Sequence, residues 1–119
     1  MSAPLDCIDV PNSMGAELCL LDLRQPSTHL HSQSLAGWER ERASRFRFEK
    51  DARRYLLSHS ALRQRLGHHL NLAPDQVPLQ TSALGKPFIE GHPVHFNLTH
   101  SEDWALIGLH GRQIIGVDI

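Results

Sequence analysis

The chain has 119 residues, 40% of them hydrophobic, and a formal charge of −1 with histidine neutral. That length suits one compact domain, and the composition excludes wholesale disorder. The balanced charge gives no electrostatic case for nonspecific nucleic-acid or anionic-membrane binding, although arginines crowd between Arg40 and Arg65. Cys7 and Cys19 lack metal-ligand spacing and read as reduced thiols of a cytoplasmic protein. Residues 1–17 hold no apolar run fit for a signal peptide, and no stretch approaches the roughly 20 apolar residues of a membrane span.

Residues 1–16, with Pro4, Pro11, Asn12 and Gly15, read as a loose leader. The apolar run 17–23 reads as a buried strand, broken by Pro26 and Ser27. Ser34 is the expected N-cap of a helix through Trp38 to about Arg45, which Gly37 weakens by up to about 1 kcal/mol. A longer helix is predicted over 49–70. Its acids Glu49 and Asp51 and its terminal His68 and His69 suit the helix dipole. Ala52, Tyr55, Leu56, His59, Leu62, Leu66 and Leu70 recur at three- and four-residue steps, and Asn71 and Pro74 end the pattern.

Beyond Pro78 the pattern changes to strands and turns. Residues 79–82 read as a weak strand, 84–87 as a turn and 95–98 as a short strand. Residues 103–109 and 113–118 are expected to pair as a hairpin around His110-Gly111-Arg112. The predicted class is α+β, with helices packed on a small, mostly antiparallel sheet and residues 17–119 forming one unit.

Four segments could carry chemistry. Asp118 ends an apolar strand, where a carboxylate can reach toward magnesium or serve simply as a cap. Phe96-Asn97-Leu98-Thr99-His100-Ser101 closes a strand in polar side chains able to grip a phosphate or to bond the local backbone. Gly85-Lys86-Pro87-Phe88 sets a lysine in a rigid turn, where the ordinary reading is a solvated cation. Arg54, at the start of the long helix, lies beside the apolar stripe, free to reach a phosphate with its forked donors or to pair with nearby acids. The remaining histidines show no ligand spacing.

In this order the segments resemble the first half of the Sfp-type 4'-phosphopantetheinyl transferases, over about residues 41–119. Phe96 to Ser101 is similar to that family's Phe-Asn-x-Ser-His-Ser, with Thr99 in place of the usual serine. The resemblance implies that coenzyme A binds in a cleft between two similar halves, with magnesium on its pyrophosphate. A carrier-protein serine attacks the β-phosphorus, takes the 4'-phosphopantetheinyl arm and releases 3',5'-ADP. It assigns Asp118 to the metal, and Arg54, Lys86, Thr99 and His100 to the coenzyme A nucleotide. Arg42 and Arg45 match positions that are commonly basic, by a looser pattern.

Gly116-Val117-Asp118-Ile119 stands where the family continues into a Glu and later a Trp-x-x-Lys-Glu helix. The expectation is therefore a half-domain with no complete catalytic set, inactive alone, that needs a C-terminal half or self-associates. Self-association would use an exposed apolar patch from the strands at 104–109 and 114–119. The expected partners are coenzyme A and an acyl or peptidyl carrier protein. The alternative is a non-catalytic module that binds coenzyme A or another chain. A short homotrimeric synthase fits less well, because its comparable aspartate strand lies near the N-terminus.

Overall fold

The computed structural model describes residues 7–11, 15–25, 34–89, 91 and 94–110. In chain order these form β1 (Cys7–Asp9), β2 (Glu17–Asp22), α1 (Gly37–Ser44), α2 (Glu49–Leu70), β3 (Leu79–Thr81), β4 (Pro87–Ile89), β5 (His95–Ser101) and β6 (Trp104–His110). A single 3-10 turn at Pro74–Gln76 joins α2 to β3. Helices beside antiparallel sheets make the class α+β, as the sequence pattern predicts.

α2 occupies the predicted bounds. It ends at Asn71, which takes the left-handed conformation at φ 60° while its N–H and that of Leu72 close the last turn. Its buried face is broader than the predicted stripe. Leu57, Ala61, Leu62 and Leu66 are fully buried, and Ser58, His59, Ser60 and Arg63 join them, whereas Ala52, Tyr55, Leu56 and Leu70 are only half-buried. The reason is that α2 is covered twice, by the sheet on one side and by α1 on the other. Each fully buried leucine contributes about 1.5–3 kcal/mol.

The main sheet runs β1-β2-β6-β5, antiparallel throughout. Alternation sends Cys19 and Leu21 of β2, and Ala105, Ile107 and Leu109 of β6, into the core with α2. Those three β6 residues therefore cannot belong to the exposed patch expected over 104–109. β6 is flanked by β5 on one edge and β2 on the other, so its hairpin partner is β5, through Glu102 at φ 51° and Asp103. The other arm of the expected hairpin, 113–118, lies outside the described residues.

β5 continues to Ser101, so Thr99, His100 and Ser101 are paired strand residues and not the strand-end turn that their polarity suggests. α1 begins at Gly37 after Ala36, two residues past the expected Ser34 cap, because Glu39 turns back to accept the Ala36 N–H at 2.8 Å. Within the stretch read as a leader, Cys7–Asp9 pairs with β2. That pairing corrects the reading of the cysteines. Cys7 and Cys19 face one another across β1 and β2 with Cα atoms 5.7 Å apart and are joined as a disulfide, inside the usual reach of such a bond. Among the described residues no helix is long and apolar enough to cross a membrane.

Candidate functional site

The site is built on the junction of α1, α2 and the β3–β4 hairpin. Trp38 of α1 donates its indole N–H to the Leu79 carbonyl at 3.2 Å, which ties the helix to the base of that hairpin. Its neighbour Glu39 is fully buried. Glu39 Oε2 lies 2.5 Å from His59 Nδ1, and its Oε1 accepts from Arg63 Nε at 2.6 Å. Arg63 spends further donors on the carbonyls of Pro74 and Val77, each at 3.0 Å. Every member of this buried ionic cluster is thus hydrogen-bonded, as burial of charge demands. Burial alone would raise the Glu39 carboxyl, but the His59 bond, the Ala36 N–H and the charges of His59 and Arg63 hold it below its ordinary value.

Aromatic rings stand over this base. Tyr55 stacks on His59 with centroids 4.2 Å apart, Trp38 meets the same imidazole edge-on at 5.9 Å, and Phe46 packs on Tyr55 at 5.5 Å. Burial and the Glu39 charge push the Tyr55 phenol up to about 12, so it stays neutral at ordinary pH.

Two cavities open above these rings, of about 440 and 400 Å³, and share Arg42, Tyr55, His59, Gly85 and Pro87 in their walls. They form one groove, of the size that small-molecule sites have. Arg42, Arg54 and His100 all line the larger cavity. α1 supplies Arg42, α2 supplies Arg54, and β5 supplies His100 because Leu98 and His100 share the face of β5 turned to the groove. Arg42 is exposed and lies over the Phe46 ring at 5.0 Å.

Arg54 differs from its expected state. Only 16% of its side chain is exposed, and it donates to Asp103 Oδ1 at 2.9 Å with Asp51 at 3.6 Å. The β5–β6 turn brings Asp103 to the helix, so Arg54 is paired and not free. A guanidinium has five N–H donors in a fixed fork, which leaves capacity for a ligand.

The remaining nominated residues fall elsewhere. Lys86 is exposed and lines a separate cavity of about 270 Å³ with Phe88 and Phe96, its own N–H accepted by Ser82 Oγ at 3.1 Å. Thr99, one residue out of step with Leu98 and His100, takes the opposite face of β5 and does not line the groove. Arg45 lines the smaller cavity while pairing with Glu41 at 2.9 Å. Asp118 lies outside the described residues. Among the described residues no group of three His, Cys, Asp or Glu could hold a metal ion.

Sequence reasoning missed Glu39 and did not assign Trp38, Phe46 or Tyr55 to a site. The available signal was His59 and Arg63 on one face of α2 at four-residue spacing, two cationic types turned inward that require a buried anion.

Comparison with known proteins decides the family. Residues 25–110 match the family model described as 4'-phosphopantetheinyl transferase, N-terminal. The chain belongs to the 4'-phosphopantetheinyl transferase family. It matches the N-terminal part of such proteins. It is 39% identical, over 68% of its length, to 4'-phosphopantetheinyl transferase psf-1 of Bacillus pumilus, covering 35% of that protein. It is 36% identical, over 68% of its length, to a phosphopantetheinyl transferase of Thraustochytrium sp., covering 29%. A third relative, 4'-phosphopantetheinyl transferase HetI of Nostoc sp., is 32% identical over 83% of this chain, covering 44% of its own length. The chain thus spans less than half the length of these relatives.

Proposed function

We propose that this chain is the nucleotide-binding half of a 4'-phosphopantetheinyl transferase, and that its groove takes the 3'-phosphorylated adenosine end of coenzyme A. The carrying observation is the convergence of Arg42, Arg54 and His100 on one cavity from three separate elements, over a floor of aromatic rings. Cations on opposite walls suit a phosphate, and the flat rings suit a planar base. Family membership supports the reading.

The chemistry proposed for the whole transferase is attack by a carrier-protein serine on the β-phosphorus of coenzyme A. The P–O bond to 3',5'-ADP breaks and the phosphopantetheinyl arm moves to the serine oxygen. The described residues bind and orient the nucleotide, which lowers the entropic part of the barrier. Magnesium belongs to the proposal through Asp118, but the donor set among the described residues does not fit a metal, so no step runs through it.

Each charge-assisted contact contributes about 1.5–3 kcal/mol at most, and solvent exposure at Arg42 reduces that. Calorimetric titration of the purified chain is expected to show coenzyme A binding about tenfold more tightly than dephospho-coenzyme A. Arg54→Ala and Arg42→Ala should each remove most of that difference. Equal affinity for the two coenzymes would contradict the placement of the phosphate.

A further inference from the structure

His59 is a polar side chain at the floor of the groove to which the nucleotide reading gives no part. Its side chain is 6% exposed, yet it lines both cavities, where they meet. Nδ1 is committed to Glu39 Oε2, and among the described residues Nε2 has no partner. Nε2 is not enclosed, since Ser60 Oγ alone among the described side chains is a buried polar atom without a partner, so the free nitrogen of this largely buried ring opens on the cavity.

The ring is also held from every side. Glu39 fixes its Nδ1, Arg63 fixes Glu39, Tyr55 stacks on one face at 4.2 Å and Trp38 abuts its edge at 5.9 Å. Such a set restrains both the tautomer and the direction of Nε2. With Nδ1–H donating to the carboxylate, Nε2 donates to an anion only when it too carries a proton, and an anion placed against it favours that proton. The cations facing this space are Arg42, Arg54 and His100; the acids in its walls are Asp51, paired to Arg54, Glu41, paired to Arg45, and Glu102.

Building on the nucleotide reading of the groove, we propose that His59 is a ligand-contacting residue whose Nε2–H meets a phosphate oxygen of the bound phosphonucleotide, with Glu39 and Arg63 as its positioning residues. The contact is made from below, between the cations of the two walls. It selects for a ligand that reaches the floor of the groove and not merely its rim.

The test uses 3',5'-ADP as the probe on the full chain, read by calorimetry and thermal melting. His59→Asn places an amide nitrogen near Nδ1, keeps the bond to Glu39 and drops the Nε2 donor. His59→Gln does the reverse. The proposal expects His59→Asn to melt near the wild-type temperature but to bind 3',5'-ADP about tenfold more weakly, while His59→Gln melts lower and retains more affinity. A purely structural His59 gives the opposite order of affinities, and that order would overturn the proposal. Should either variant fail to fold, nitrogen-15 NMR of the wild-type imidazoles reads the contact directly. Adding 3',5'-ADP is expected to shift His59 Nε2, and an unmoved Nε2 at saturation overturns the proposal. Loss of binding in Arg54→Ala with an unmoved Nε2 would remove this inference alone. A wild-type chain that does not bind 3',5'-ADP would remove the nucleotide reading, and this proposal with it.

Discussion

Glu39 shows how a single residue can organise the site without entering it. Its carboxylate receives the Ala36 N–H, His59 and Arg63, so it starts α1, orients an imidazole and neutralises a buried guanidinium at once. Removing one partner of a buried ion pair costs far more than the pair contributes, because the survivor stays buried and unpaired. Glu39→Gln should therefore destabilise the chain by about 3 kcal/mol in urea unfolding. The same group sets a pH dependence. Its folded carboxyl lies below the ordinary 4.5, so its contribution is fully present above that pH and is lost as pH falls through the lower folded value. The wild type should lose stability steeply on acidification below about that pH, and Glu39→Gln should show a smaller slope. Equal slopes in acid titrations followed by circular dichroism would contradict the role given to Glu39. The sequence makes only part of this visible. Arg42, Arg54 and His100, nominated from motif position and side-chain chemistry, line one cavity. Glu39 is not legible, because its partners lie 20 and 24 residues along the chain and only folding joins them.

At the level of elements, α2 is the part most fully legible in the sequence. Acids in its first turn, histidines in its last and a left-handed Asn71 beyond agree on both ends, and the helix runs Glu49–Leu70 as predicted. Its last turn is also a packing joint. A Cβ on Gly67 would stand 2.5 Å from the Leu72 carbonyl oxygen and 3.5 Å from Val77 Cγ2. Gly67→Ala should therefore lower the melting temperature despite the better helix propensity of alanine, costing about 1–3 kcal/mol as the Leu72–Val77 connection shifts. A rise in melting temperature would show that the connection yields freely. Strand parity is harder to read. Thr99 carries suitable chemistry but faces away from the groove, since one step along a strand reverses the face, and Lys86, in the turn before β4, lines a separate cavity. The edges of β6 are hard to place for a related reason. Local spacing favours a hairpin between 103–109 and 113–118, whereas β6 sits between β5 and β2, the latter far earlier in the sequence.

Across the whole molecule, the groove exists only because two structural units meet. The α2-backed sheet presents His100 and, through the β5–β6 turn, holds Arg54 by Asp103, while the small β3–β4 hairpin closes the other wall with Gly85 and Pro87. Gly85 sits at φ +80°, a conformation that glycine adopts without strain, and lets the hairpin turn tightly beside the cavity. Leu84 at its tip is 96% exposed, so the hairpin is anchored at its base by Val77, Leu79 and the Trp38 bond and not at its end. Placing the phosphonucleotide between these units is the central claim, and backbone nitrogen-15 NMR of the chain titrated with 3',5'-ADP tests it most directly. The expected result is a saturable shift confined to Arg42, Arg54, Tyr55, His59, Gly85 and His100, with β1 and Arg65, which pairs with Asp9 and Glu17 toward the far end of α2, unmoved. Shifts centred on β1 and β2, or none at millimolar ligand, would contradict it.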